Sequence, residues 1–107
     1  MSTTPKSEIL NLAAVAEYQA GAIVSIQVTK AETGNVTLFA FDQGQELSEH
    51  TTPFDALVHV LDGEVEIKIS GKPYLLTAGD AIIMPANEPH ALKATQRFKM
   101  LLTMIRP

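Results

Sequence analysis

Two histidines carry most of the chemistry this chain offers. Gly44-Gln-Glu-Leu-Ser-Glu-His50 delivers one imidazole shortly after a glycine turn. Gly79-Asp-Ala-Ile-Ile-Met-Pro85, continuing through Pro89, delivers a second at His90. An imidazole can ligate a metal, move a proton near neutral pH, or hydrogen-bond a ligand. Cysteine is absent, so no thiolate nucleophile, disulfide or Cys-ligated zinc is available. No G-x-S-x-G elbow, P-loop or dinucleotide fingerprint occurs, and the glycines serve turns.

The segments that position the histidines read as strands. Glu64–Ser70 alternates Val65, Ile67 and Ile69 with Glu64, Glu66 and Lys68. Val24, Ile26 and Val28 alternate with Ser25, Gln27 and Thr29, and Phe98, Met100, Leu102 and Met104 share one parity. This period of two is the strand signature. Val36–Phe41 and Ala56–Leu61 are apolar on both faces, which predicts cover from a second sheet or another subunit. Turn chemistry recurs at Thr33-Gly34-Asn35, Asp42-Gln43-Gly44, Ser70-Gly71-Lys72-Pro73 and Ala78-Gly79-Asp80. Asp62-Gly63, between two apolar runs, predicts a hairpin turn. Only Ser7–Tyr18 has helical spacing, with Ser7 placed to cap it, and a single turn after a short strand suits it equally. Short strands with glycine turns predict an all-β sandwich or barrel with at most one short N-terminal helix or helical turn.

At 107 residues, 46% hydrophobic and 19% charged, the chain is expected to form a single domain over 1–107. Its core barrel is expected over about 22–106, with 1–6 frayed. Eight Lys and Arg against twelve Asp and Glu give a net charge of -4, without the basic patch that nucleic acid requires. No apolar run is long enough to span a membrane, and the N-terminus lacks the pattern of a secretory leader. A cytoplasmic protein with neither nucleic-acid nor membrane partners is expected.

At the two glycine-histidine segments the chain resembles the cupins. The family's first motif, G-x5-H-x-H-x3-E-x6-G, is met by Gly44, His50 and Gly63 at intact spacing. Its second, G-x5-P-x-G-x2-H-x3-N, is met by Gly79, Pro85 and His90. The resemblance implies a double-sheet jelly-roll barrel of the RmlC-like kind, with both histidines facing its mouth. It also implies a homodimer, with His59, Leu57 and Phe39 or Phe41 near the interface. The departures bear on chemistry. Thr52 and Ala56 stand where the first motif has its second histidine and its glutamate, and Asn87 and Ala94 replace a glycine and an asparagine of the second.

A catalytic zinc takes three protein ligands, and a non-haem iron two histidines and a carboxylate. His50 and His90 therefore read as a degenerate metal site, open either to one divalent transition metal (Zn, Fe, Mn or Ni) completed by an acid or by waters, or to no metal at all, as pocket residues that hydrogen-bond water, Thr52 or a ligand. Asp55 and Glu88 are the nearby acids. Asp55 faces away from Ala56 by strand parity. Glu46 shares parity with His50 and is expected to line the pocket with Thr52, Ala56, Met84, Phe98 and Met100. His59 has parity opposite to Ala56 and is expected outside the barrel. The reading is a protein that binds a small molecule in the barrel pocket. The alternatives are a metal-dependent oxygenase or isomerase using His50 and His90, and a non-catalytic dimerisation scaffold.

Overall fold

Alternating apolar side chains need two sheets to bury them, and one long strand here belongs to both. The computed structural model describes residues 3–107. Its elements are α1 (Leu12–Val15), β1 (Ile23–Ala31), β2 (Gly34–Phe41), β3 (Glu46–His50), β4 (Asp55–Ile69), β5 (Lys72–Thr77), β6 (Ala81–Met84), β7 (His90–Lys93) and β8 (Phe98–Ile105). All strand pairs are antiparallel. One sheet runs β1-β2-β8-β4-β6, and the other runs β3-β7-β4-β5. The N-terminal half of β4 pairs with β8 and β6, and its C-terminal half with β7 and β5. The two sheets enclose a double-sheet jelly-roll barrel.

Asp62-Gly63 is not a hairpin turn. It is the corner at which β4 leaves one sheet for the other. Opposite β8 the register shifts between Val60 and Asp62, so one extra residue is accommodated there. The bulge bends the strand. Gly63 has φ 76°, and a Cβ on it would overlap the carbonyl oxygen of Arg97. Both facts reserve the position for glycine. The hairpin lies further on, at Ser70-Gly71, between β4 and β5.

The barrel interior is apolar and filled. Phe41, Val58, Val60, Val65, Ile67 and Phe98 are fully buried, and Phe41 stacks on Phe98 with ring centroids 4.5 Å apart. Phe41 therefore belongs to the core and not to an interface, because Phe39 and Phe41 share the inward parity of β2. The opposite face of β2 presents Leu38 and Ala40. These are covered by Leu12, Val15, Ala16 and Tyr18 of the N-terminal segment. Part of the expected second-face cover thus comes from the chain itself.

That segment is fastened by polar contacts. The Tyr18 hydroxyl donates to Asp62 at 2.5 Å, and the Arg97 and Lys99 cations lie over its ring. Burial, then the Asp62 carboxylate, raise the Tyr18 pKa. Lys99 Nζ donates to the Ala13 carbonyl, and Arg97 pairs with Asp42 at 2.8 Å. That pairing lowers the Asp42 carboxyl to about 2, although so exposed a pair adds little to stability. The helix is shorter than Ser7–Tyr18 allows. Ser7 has φ 61° and does not cap it, and Asn11 is the N-cap without a side-chain hydrogen bond. In the segment 1–6, Met1 and Ser2 lie outside the described residues. Thr4 is not frayed, since its hydroxyl donates to Val28 O at 2.7 Å.

Gly63→Ala should destabilise the fold by about 2 kcal/mol or more, because strain and overlap coincide. Urea unfolding of both proteins measures this, and an unchanged midpoint would contradict the account of the corner.

Candidate functional site: a histidine pair at the barrel mouth

A second bulge places His50. Leu47 pairs with Leu92 and His50 with His90, so β3 spends three residues where β7 spends two. Without the extra residue, His50 would face away from Leu47, which packs on the core. With it, both face inward. Leu47, Leu92 and Ile67 form one interior row across three strands, and His50, His90 and Ile69 form the next. The same bulge parts Glu46 from His50. Glu46 lies on the outer face opposite Lys93, where it lines a cleft of about 400 Å³ with Glu66, Lys68 and Lys93. Strand parity misplaces it because parity fails across a bulge.

The two imidazoles meet edge to face, with centroids 4.4 Å apart. His50 is exposed and His90 is buried behind it. His50 Nδ1 lies 2.8 Å from the Ser48 carbonyl oxygen, and His90 Nδ1 3.3 Å from that of Glu88. A carbonyl can only accept, so each neutral ring carries its proton on Nδ1. Both unprotonated Nε2 atoms then lie 3.1 Å apart. Two lone pairs do not bond. The arrangement calls for a proton on one ring, or for a cation or ligand donor that both nitrogens share. The two anchoring carbonyls are invisible in sequence, because backbone groups carry no residue signal.

The remaining expected residues fall around this pair. The Thr52 carbonyl accepts from the Asn87 amide at 2.7 Å, so the loops that follow β3 and β6 run side by side. Asn87 has φ 66°, and asparagine tolerates this left-handed backbone where the motif has glycine. Asp55 is spent on the loop, its Oδ1 accepting the Ala86 amide at 2.9 Å. Glu88 Oε1 accepts the Ser70 hydroxyl and so does not reach the pair. Ala56 and Met84 are buried and directly paired across β4 and β6. Phe98 and Met100 fill the barrel beneath, because their strand faces straight into the core. Gly44 and Gly79 tie their turns to the barrel, donating to Ala94 O and Val60 O at 2.8 Å each. Pro85 follows directly on β6 and opens the loop that carries Asn87. His59 lies on the outer face, away from the pair.

Two imidazole nitrogens 3.1 Å apart subtend about 100° at a metal bonded to each at ordinary length. That is the angle of adjacent coordination positions, so the pair fits one side of a metal ion. Among the described residues no group of three or more His, Cys, Asp or Glu could hold one. Among the described residues the full ligand set of the two motifs is therefore not assembled.

The fold and paired motifs define the class. The cupin domain family model matches residues 37–105, and the chain belongs to the cupin family. It is similar to a conserved protein of unknown function, SPY1581, from Streptococcus pyogenes (34% identity, TM-score 0.92, covering 100% of this chain and 96% of that one). It is also similar to a cupin 2 conserved barrel domain protein from Leptotrichia buccalis (44% identity, TM-score 0.88). That match covers 90% of this chain but only 47% of the other protein, so this chain spans about half its length. A cupin superfamily protein from Desulfitobacterium hafniense is similar over 99% of this chain and 97% of its own, at 27% identity and TM-score 0.90. No curated protein matches the sequence.

Burial lowers the His90 pKa below its ordinary 6.5, the nearby His50 lowers it further, and the Glu88 carbonyl opposes both. Above that value His90 is neutral in the folded and the unfolded chain. As pH falls below 6.5, the unfolded chain takes up the proton first, so stability declines. Unfolding free energies measured between about pH 5 and 7 should show this decline. His90→Gln should flatten it, and equal slopes in the two proteins would refute the assignment.

Proposed function

We propose that this cupin binds a small molecule at the barrel mouth, with the His50–His90 pair as its polar contact. The supporting observation is the convergence of two Nε2 atoms at 3.1 Å, each ring oriented by a backbone carbonyl. Such a pair offers two directed acceptors above a dry, apolar floor. It suits a ligand with a hydrogen-bond donor or cationic centre and an apolar body. Native mass spectrometry of untagged protein tests this. Co-purifying small-molecule mass should appear in the wild type and be lost in His50→Ala/His90→Ala. Identical spectra would refute the proposal.

A second reading follows from the 100° geometry. A divalent zinc, iron, manganese or nickel ion would sit on the two imidazoles, with waters or the ligand completing its shell, in an oxygenase or isomerase. When bound, the metal would supply Lewis-acid or redox chemistry. The chain's own part is to orient the two imidazoles and exclude water beneath them.

We further infer a homodimer through the outer face of the five-stranded sheet. Leu57 is 38% exposed beside its cross-strand partner Ile83 at 60%, with Ile105 at 57% on the same face. A contiguous exposed apolar patch of this kind marks an interaction surface. His59 lies beside it. Light scattering at micromolar concentration should give a dimer, and Leu57→Glu/Ile83→Glu a monomer. A monomeric wild type would end this inference. A chain without cysteine suits the reducing cytoplasm, where we place it. Among the described residues no helix is long and apolar enough to cross a membrane.

A further inference from the structure

Register arranges the outward side chains of the five-stranded sheet in rows. Val36, Thr103, Leu57 and Ile83 form one row across β2, β8, β4 and β6. Leu38, Leu101, His59 and Ala81 form the next. The N-terminal segment covers Leu38 and packs on Leu101, while Leu57, Ile83 and Ile105 stay exposed. His59, half-buried, stands where the covered part of the face meets the open part. It is the one ionisable side chain in the two rows.

The charged and titratable groups around it are engaged with other partners or lie off these rows. On β8, Lys99 donates to the Ala13 carbonyl and lies over the Tyr18 ring. At the head of β4, Asp55 accepts the Ala86 amide, and at the corner Asp62 accepts the Tyr18 hydroxyl. Before β6, Asp80 accepts the Thr77 amide and hydroxyl. Glu17, in the N-terminal segment, is exposed to solvent. The one ion pair among the described residues joins Arg97 to Asp42, so no carboxylate partners His59.

The same face carries a knob and a groove. Ile83 is the knob, exposed at the β6 end of its row. At the other end a groove of about 270 Å³ is lined by Thr29, Ala31, Gly34, Val36, Thr103 and Ile105, with Lys30 and Arg106 bordering it. A two-fold axis between β8 and β4 carries the Ile83 of each copy toward the groove of the other. That reciprocal fit is what an isologous interface requires. A second copy of this chain is therefore the occupant that suits the face, and His59, one row away, is shut in by it.

We infer that His59 makes this association pH-dependent: the second copy seats while the imidazole is neutral and leaves when it is protonated. This rests on the homodimer reading above. In the monomer the half-exposed ring can hold a proton with water around it. Against a second apolar face it loses that water and gains no carboxylate, and an unpaired buried charge is costly. Protons therefore favour the monomer. Association is complete above the range in which histidine titrates and is lost as the pH falls through it.

Sedimentation velocity of the full chain at about pH 7.5 and about pH 5.5 tests this. The wild-type dissociation constant should be about tenfold or more weaker at the lower pH. His59→Gln keeps a polar side chain that cannot titrate, and should cut that ratio to about twofold or less. His59→Leu, a second non-titrating variant, should do the same and tighten the dimer at both pH values. Circular dichroism at each pH checks that every protein is folded. A wild-type dimer of equal strength at both pH values, or an unchanged ratio in the His59 variants, overturns the inference and leaves the homodimer reading standing. A wild type that is monomeric at both pH values overturns both.

Discussion

The corner in β4 is the constraint on which the rest of the molecule depends. One fifteen-residue strand supplies the middle of both sheets, and it can do so only by bending at Asp62-Gly63. The bend needs an extra residue, a positive φ and no side chain against the Arg97 carbonyl. Every other strand but β1 pairs directly or at one remove with β4. The corner therefore sets how the sheets face each other and how the buried side chains of Ala56, Val58 and Val60 meet those of Val65 and Ile67. Asp62 also receives the Tyr18 hydroxyl, so the same corner fastens the N-terminal segment over Leu38 and Ala40.

The second bulge, in β3, does for chemistry what the first does for architecture. It turns His50 onto the inner face, beside His90, at the cost of an irregular strand. Backbone carbonyls two residues upstream of each histidine then fix both rings the same way. The pair is polar, its floor is not, and no acid reaches it. The apolar surroundings disfavour charge on the buried His90. In a barrel so filled, the histidine pair meets solvent only at the mouth, where His50 is exposed.

Much of the fold was legible in the sequence, because strand periodicity and turn residues are local properties. The all-β barrel, the inward parity of Phe98, Met100, Leu102 and Met104, and the outward parity of His59 all follow from alternation, and the structure bears them out. Motif spacing located Gly44, Gly63, Gly79 and Pro85 at the ends of strands or at corners. Where alternation broke, local reasoning broke with it. Asp62-Gly63 reads as a hairpin because a bulge and a turn use the same residues. Glu46 reads as a neighbour of His50 because a bulge leaves no mark in the sequence. Phe39 or Phe41 reads as an interface residue because a run apolar on both faces does not say which face meets the core.

The sequence by itself determined which residues alternate, where the chain turns, and that two histidines stand at matched distances from glycines. The tertiary structure alone decided that they meet. Their contact joins positions forty residues apart, and only the pairing of β3 with β7 brings them together. It also decided that Asp55, Glu88 and Glu46 serve other partners, and that Ala56 lies between two methionines. Those are facts of register between strands, fixed by packing across the barrel, which no local pattern encodes.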